Sequence, residues 1–205
     1  PAPIPKSLAS TFPIEIMTID QRKIWQINQR EESPNRMILF IHGGAYIHNI
    51  TGLHWQFISK ILAKTQSTVV VPDYPLAPFA TSQDVYAYIQ TLYNRLLTEY
   101  RSDDIIFMGD SAGGGLALGF SQQLRNENQP LPGKIILLSP WLDITLANTE
   151  IPELDRKDKL LGISGLRLAG KAYAGSENPE DYQVSPIYGD LNGLPEISIF
   201  IGTRS

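Results

Sequence analysis

The chain has 205 residues, of which 42% are hydrophobic and 19% are charged, a composition typical of one globular domain with a substantial core. Seventeen basic residues against 21 acidic residues give a formal net charge of −4, which argues against a nucleic-acid-binding surface. No cysteine is present, and this excludes a disulfide framework and any cysteine-based metal or redox site. The lack of cysteine fits a cytoplasmic protein, and we expect that location.

The beginning of the chain carries no targeting pattern. Residues 1–10 lack the long apolar core of a signal peptide, and no apolar run in the sequence approaches the roughly 20 residues of a membrane span. The first residue is Pro1 rather than methionine, which indicates a chain that was processed or excised from a longer one.

Hydrophobic patterning predicts seven strands and four helices. A hairpin comes first, and continuous apolar runs then indicate strands buried on both faces, as in a parallel sheet. Periodic apolar positions between these runs indicate amphipathic helices, of which the second has Ser82 as its predicted N-cap. In chain order we predict strands at residues 14–19 and 23–28, a polar loop at 31–35, a strand at 36–41, a helix at 53–65, a strand at 67–74, a helix at 82–100, a strand at 104–109, a helix at 112–126, a strand at 133–140, a helix at 164–174 and a strand at 197–202.

Buried strands that alternate with helices predict an α/β fold. The crossovers should be right-handed, and the central sheet should be mostly parallel with helices on both faces. Residues 143–195 interrupt the alternation because they are long, polar and punctuated by glycine and proline. We expect an insertion over one edge of the sheet, with residues 144–182 forming a lid, within a single domain over residues 1–205.

A serine stands where the fifth predicted strand meets a helix. Ser111 lies in the run Gly109-Asp110-Ser111-Ala112-Gly113. A nucleophile at this place needs a sharp turn, and the glycines two residues before and after it leave the room. The N-terminal N–H groups of the following helix also face any negative charge that develops there. A glycine-rich turn with a capping serine is the alternative, and the position at a strand end favours the nucleophile.

A second motif leaves the third predicted strand. The run FIHGGAY at residues 40–46 carries two adjacent glycines, Gly43 and Gly44. Acyl transfer needs donors arranged in advance for an oxyanion, and glycine amides can face a cleft with no side chain in the way. The N–H of Ala112 would be the third donor. Taken alone, this motif could be a turn after a strand; together, the two motifs indicate acyl-transfer chemistry.

From about Met37 onward the chain resembles the α/β-hydrolases of the hormone-sensitive-lipase-like group, which are bacterial esterases and lipases with an HGGG-type oxyanion motif. The resemblance implies hydrolysis of short-chain acyl esters through an acyl-serine on Ser111, with Gly43, Gly44 and Ala112 as oxyanion donors. Nothing in the sequence suggests a cofactor or a metal. Ala45 stands where the family often has its third glycine. The matching runs are HGGAY, PDYPLAP, GDSAGGGLA, LLSPWLDIT and SPIYGDLNGLP.

The histidines do not follow the order of this family. An α/β-hydrolase triad runs serine, then acid, then histidine, whereas His42, His48 and His54 all precede Ser111. The family's acid would lie just after the last predicted strand, and Ser205 holds that place. We expect His42 to brace the oxyanion loop through hydrogen bonds, and the other two histidines to be solvated or to line the cleft.

The missing histidine and acid predict a C-terminally truncated hydrolase. Loss of a triad histidine costs up to about six orders of magnitude in turnover, so we expect negligible esterase activity from these 205 residues alone. Asp110 is predicted to stabilise its turn, and Asp143 and Asp190 are loop carboxylates with no special claim to the triad. Three aromatic residues are predicted to line the acyl or alcohol pocket: Tyr46, Tyr74 and Trp141.

Two other functional classes compete with an esterase. The GDSAGG run is also similar to the motif of chymotrypsin-like proteases, but those are all-β barrels, and the alternation of strands with helices argues against them. A noncatalytic protein of hydrolase-like fold that binds a small ligand is the second alternative, and the intact oxyanion elements favour the enzyme over it. The expected partner is a small-molecule ester, and a homodimer is left open.

Overall fold

One sheet of seven strands forms the centre of the part of the chain that the structure, a computed structural model, describes: residues 1–29, 36–151 and 162–202. The strands are β1 (Ile14–Ile19), β2 (Arg22–Ile27), β3 (Met37–Ile41), β4 (Thr68–Pro72), β5 (Ile105–Asp110), β6 (Lys134–Leu138) and β7 (Ile197–Phe200). The helices are α1 (Lys6–Thr11), α2 (Gly52–Thr65), α3 (Ser82–Leu96), α4 (Ala112–Asn126) and α5 (Ile163–Ala174). The predicted polar loop at 31–35, residues 152–161 of the predicted lid and Ser205 lie outside the described residues.

The strand order is β1-β2-β4-β3-β5-β6-β7. Strands β1 and β2 pair antiparallel, as do β2 and β4, and the pairs from β4 to β7 are all parallel. In the pair of β3 and β5, Ile41 lies opposite Gly109. The carboxyl ends of these two strands therefore lie side by side, at the edge where open α/β sheets bind ligands.

The sheet is covered on both faces, as the continuous apolar strands predict. All five residues of β3 are buried. Met37, Leu39 and Ile41 pack into the larger apolar cluster with α3 and α4, whereas Ile38 and Phe40 pack into a second cluster with α1 and α2. This alternation follows from the two-residue period of a strand. The predicted fold class, a mostly parallel α/β sheet with helices on both faces, is confirmed.

The predicted elements agree with the observed ones except for one additional helix and some boundaries. Helix α1 was not predicted, and α3 ends at Leu96 rather than at residue 100. The predicted cap of α3 is also wrong by one residue, because Thr81 is the N-cap and forms a capping box with Asp84. The Asp84 carboxylate accepts from the Thr81 N–H at 2.8 Å and from its hydroxyl at 3.0 Å. Within the described ranges, every helix is too short or too polar to span a bilayer.

The cap of α3 is open to a direct test by unfolding. Thr81→Ala removes the capping hydroxyl, and we expect the free energy of unfolding to fall by about 1 kcal/mol. Ser82→Ala is the matched control, since the Ser82 hydroxyl is buried with no hydrogen-bond partner among the described residues, and we expect no loss from its removal. Urea denaturation measures both variants; a larger loss from Ser82→Ala would restore Ser82 as the cap.

Candidate active site

Ser111 occupies a strained turn between β5 and α4. Its φ of 49° and ψ of −121° are sparsely populated for a residue with a side chain, and such a conformation costs about 1–3 kcal/mol. Neighbouring backbone holds it in place. The Ser111 N–H donates to the Leu138 carbonyl at 3.0 Å, and the Ser111 carbonyl accepts from the Trp141 N–H at 2.8 Å. Strand β6 and the segment just after it therefore hold Ser111 in this conformation.

The two glycines that flank Ser111 allow very close backbone packing. A Cβ at Gly109 would overlap the backbone of Gly113, and a Cβ at Gly113 would overlap the carbonyl of Ile41 in β3. The first turn of α4 thus lies directly against β5 and β3. The serine turn, defined as residues 109–113, needs glycine at both places for the steric reason that the sequence predicts.

The loop after β3, residues 42–48 and here called the glycine loop, folds back sharply on itself. Gly44, Ala45 and Tyr46 have φ values of 124°, 52° and 61°. The N–H groups of the next two residues both donate to the Gly44 carbonyl, at 3.0 and 2.9 Å. Among the described residues, the N–H groups of Gly44 and Ala45 have no acceptor. Gly44 and Ala45 are therefore two adjacent residues of this loop whose N–H groups are free.

One of the two predicted glycine donors, the N–H of Gly43, is already engaged. The Gly43 N–H donates to Oδ1 of Asp110 at 2.9 Å, so the prediction that it faces an oxyanion requires correction: its partner is a carboxylate of the serine turn. The N–H of Ala112 differs, because Ala112 is the first residue of α4 and its N–H has no acceptor within the helix.

Asp110 does more than stabilise its own turn, which is the role the sequence predicts. Its Oδ1 accepts from Gly43 and its Oδ2 lies 3.2 Å from Nε2 of His54. The other ring nitrogen of His54 accepts from the Thr51 N–H at 2.9 Å. The predicted role of His54 as a solvated or cleft-lining residue is therefore wrong, since it bridges the start of α2 to the serine turn. No sequence motif signals this link, because 56 residues separate the two side chains.

His42 braces the glycine loop, as predicted. Its Nδ1 donates to the Gly43 carbonyl at 2.8 Å, and its ring stacks on Tyr74 with centroids 4.5 Å apart. The Tyr74 hydroxyl in turn donates to the His42 carbonyl at 2.8 Å. Burial lowers the pKa of His42 to about 4, so the ring is neutral near pH 7.

A cavity of about 310 Å³ opens beside the serine. One wall comes from the glycine loop, and the opposite wall comes from α5 and the residue before it, which belong to the predicted lid. His48 belongs to the lining, which is one of the two roles predicted for it. The lining residues are Gly44, Ala45, Ile47, His48, Ser111, Gly162, Gly165, Leu166 and Ala169. Ala45 and the α5 residues were not among the predicted site residues.

The three aromatic residues predicted around the pocket lie elsewhere, and that prediction requires correction. Tyr46 is 1% exposed and stacks face to face on Tyr173 of α5, with ring centroids 3.6 Å apart. Tyr74 is fully buried beneath His42. Trp141 is half-buried, and its ring centroid lies 5.7 Å from that of Tyr46. Its indole N–H donates to the Asp143 carbonyl at 2.8 Å. These aromatic side chains pack behind the glycine loop and support it.

Sequence comparisons place the chain among known hydrolases. A family model described as alpha/beta hydrolase fold matches residues 38–205. An esterase of Acinetobacter venetianus is 34% identical over 176 residues, which cover 85% of this chain and 58% of that esterase. A triacylglycerol lipase of Mycobacterium tuberculosis is 31% identical over 204 residues, which cover 99% of this chain and 42% of that lipase. The chain thus spans about half the length of these curated relatives.

Solved structures give the same grouping. The crystal structure of a Staphylococcus aureus protein superposes on this chain with a TM-score of 0.92 at 35% identity, covering 100% of this chain and 69% of that one. An esterase from the bacterial hormone-sensitive lipase (HSL) family superposes with a TM-score of 0.85 at 25% identity, covering 100% of this chain and 68% of that one. With the serine turn and the glycine loop side by side, the chain belongs to the α/β-hydrolase fold family, in its hormone-sensitive-lipase-like group.

Proposed function

We propose that this protein hydrolyses small carboxylic esters through an acyl-serine intermediate on Ser111. The observation that carries the proposal is the strained Ser111 turn, which borders a cavity together with two glycine-loop residues whose N–H groups are free. The names of the relatives, esterase and triacylglycerol lipase, support the same class of reaction.

The reaction takes place in two displacements. Ser111 Oγ attacks the ester carbonyl carbon and loses its proton; the ester C–O bond then breaks, and the alcohol leaves with a proton. Water attacks the acyl-serine in the same way and releases the carboxylic acid. In each tetrahedral intermediate the oxyanion accepts hydrogen bonds from Gly44, Ala45 and Ala112. Gly43 is left out of this set because its N–H is bound to Asp110.

The base of the reaction is assigned to none of the three histidines of this chain. His42 is buried with its Nδ1 proton on the Gly43 carbonyl, and His54 has partners at both ring nitrogens. His48 precedes Ser111, whereas the fold orders its triad serine, acid, histidine. We therefore assign the acid and the histidine to the part of the whole protein that follows β7, and we expect negligible turnover from residues 1–205 alone.

The cavity favours a short acyl group. Its volume of about 310 Å³ lies at the small end of the roughly 300–1,000 Å³ that ligand pockets span. Ile47, Leu166 and Ala169 make much of its lining apolar, which suits an alkyl chain better than a charged one. In this proposal residues 144–182 form the lid, and α5 is the lid element that limits the length of the acyl chain.

The nucleophile is tested by Ser111→Ala in the whole protein. We expect ester turnover to fall by up to about six orders of magnitude and fluorophosphonate labelling to disappear. Ser121→Ala on the same helix is the matched control. The Ser121 hydroxyl donates to the Ala117 carbonyl at 2.8 Å, so this variant should leave both readouts unchanged. A wild-type protein that neither labels nor hydrolyses p-nitrophenyl acetate would favour a noncatalytic binding protein. Ordinary turnover by residues 1–205 alone, lost in Ser111→Ala, would contradict the expected position of the base.

The chain-length preference is tested by a pair of leucines on α5. Leu166 lines the cavity, whereas Leu168 is 71% exposed. We expect Leu166→Ala to raise the ratio of kcat/KM for p-nitrophenyl octanoate over that for the acetate by about tenfold, because a deeper apolar pocket accepts more methylenes. Leu168→Ala should leave the ratio unchanged. Equal effects of the two variants would show that α5 does not limit the acyl chain.

A further inference from the structure

A carboxylate joins the serine turn to the glycine loop. Asp110 stands beside Ser111 in sequence, and its two oxygens take different partners: Oδ1 accepts from the Gly43 N–H at 2.9 Å, and Oδ2 lies 3.2 Å from His54 Nε2. We infer that His54 and Asp110 are positioning residues, which hold Gly43 so that the next N–H groups of the loop face the oxyanion. This inference rests on the proposed function, because it concerns the same reaction.

The hydrogen bonds of His54 determine which of its nitrogens carries the proton. The Thr51 N–H lies 2.9 Å from Nδ1, and a backbone N–H can only donate, so Nδ1 must offer its lone pair. The ring is therefore the neutral tautomer with its proton on Nε2, and that proton is donated to Asp110 Oδ2. With Oδ2 occupied in this way, the carboxylate presents Oδ1 to Gly43.

Gly43 is held from both of its peptide groups. Its N–H is bound to Asp110, and its carbonyl accepts from His42 Nδ1 at 2.8 Å. The peptide that follows Gly43 is planar and trans, so its carbonyl and the N–H of Gly44 point in opposite directions. Once the Gly43 carbonyl is fixed on His42, the direction of the Gly44 N–H is fixed as well. Asp110 holds the peptide on the other side of Gly43, and His54 holds Asp110.

A purely structural role is the competing explanation for His54. It is the third residue of α2, and with Thr51 it forms a capping box at the start of that helix. A cap contributes to the stability of α2 through Nδ1, whereas the positioning role acts through Nε2. The two roles use different nitrogens, and two amide side chains can imitate them one at a time.

The experiment uses His54→Asn and His54→Gln in the whole protein. The Asn oxygen reaches the place of Nδ1 and can accept from Thr51, but the side chain is too short to reach Asp110. The Gln nitrogen reaches the place of Nε2 and can donate to Asp110, but it gives up the cap. We expect His54→Asn to lower kcat by about tenfold or more with little change in KM, and His54→Gln to keep kcat within about threefold. Gln56→Ala, an exposed change on the same helix, controls for effects on α2.

Stability and kcat should therefore rank the two variants in opposite orders. His54→Gln should have the lower urea midpoint and the higher kcat, and Asp110→Ala should lose kcat by about 100-fold. If kcat follows the urea midpoint instead, so that His54→Asn is the more active variant, His54 is only a helix cap and the inference is overturned.

A second readout does not require ester hydrolysis. In the wild-type protein we expect the Gly43 amide proton to resonate downfield and to exchange slowly, because it is bound to a carboxylate. This signal should move upfield and exchange faster in His54→Asn and in Asp110→Ala, and stay in place in His54→Gln. An unchanged Gly43 signal in His54→Asn would overturn the inference even if the ester hydrolase assignment holds. If the wild-type protein hydrolyses no ester, the proposed function fails and the Gly43 signal still tests the contact.

Discussion

The close approach of the first turn of α4 to the ends of β5 and β3 is the constraint on which the rest of the site depends. Gly109 and Gly113 leave so little space that a single added carbon would strike backbone atoms, including the carbonyl of Ile41. Because of this approach, Asp110, the residue before Ser111, can hydrogen-bond to the glycine loop. The parallel register of Ile41 with Gly109 sets where along the strands the serine turn and the glycine loop meet. The strained backbone of Ser111 is held by hydrogen bonds to Leu138, at the end of β6, and to Trp141.

Two layers of contacts then fix the glycine loop. One is polar: Asp110 and His42 hold the N–H and the carbonyl of Gly43. The other is apolar and lies behind it, where Tyr46 stacks on Tyr173 and Tyr74 lies under His42. Oxyanion donors act most strongly when they need no reorganisation during the reaction. Burial of the neutral His42 ring and of these three tyrosines gives the loop a rigid support.

Much of the architecture follows from local pattern. The strands, four of the helices and the serine turn could be predicted because apolar periodicity and glycine spacing act within about ten residues, and the resemblance to the hormone-sensitive-lipase-like group is confirmed. The individual contacts of the site could not be predicted in this way. Which glycine amide is free and which is bound depends on Asp110, which is 67 residues away along the chain. His54 lies in α2, which follows β3, and Asp110 ends β5. The two side chains meet because the sheet order places β3 beside β5. Tyrosine is common both in pockets and in cores. Only the packing of Tyr46 against α5 and of Tyr74 against His42 shows that these two side chains belong to the core.

The face-to-face contact of Tyr46 with Tyr173 has a consequence for engineering. Tyr46 belongs to the glycine loop and Tyr173 to α5. One stacked pair of tyrosines therefore connects the helix that lines the cavity to the loop beside Ser111. A chimaera that takes α5 from another hydrolase would have a new partner for Tyr46. Such a graft would change the geometry of the glycine loop and, under the proposed function, the preference for acyl chains, unless both tyrosines were transplanted together.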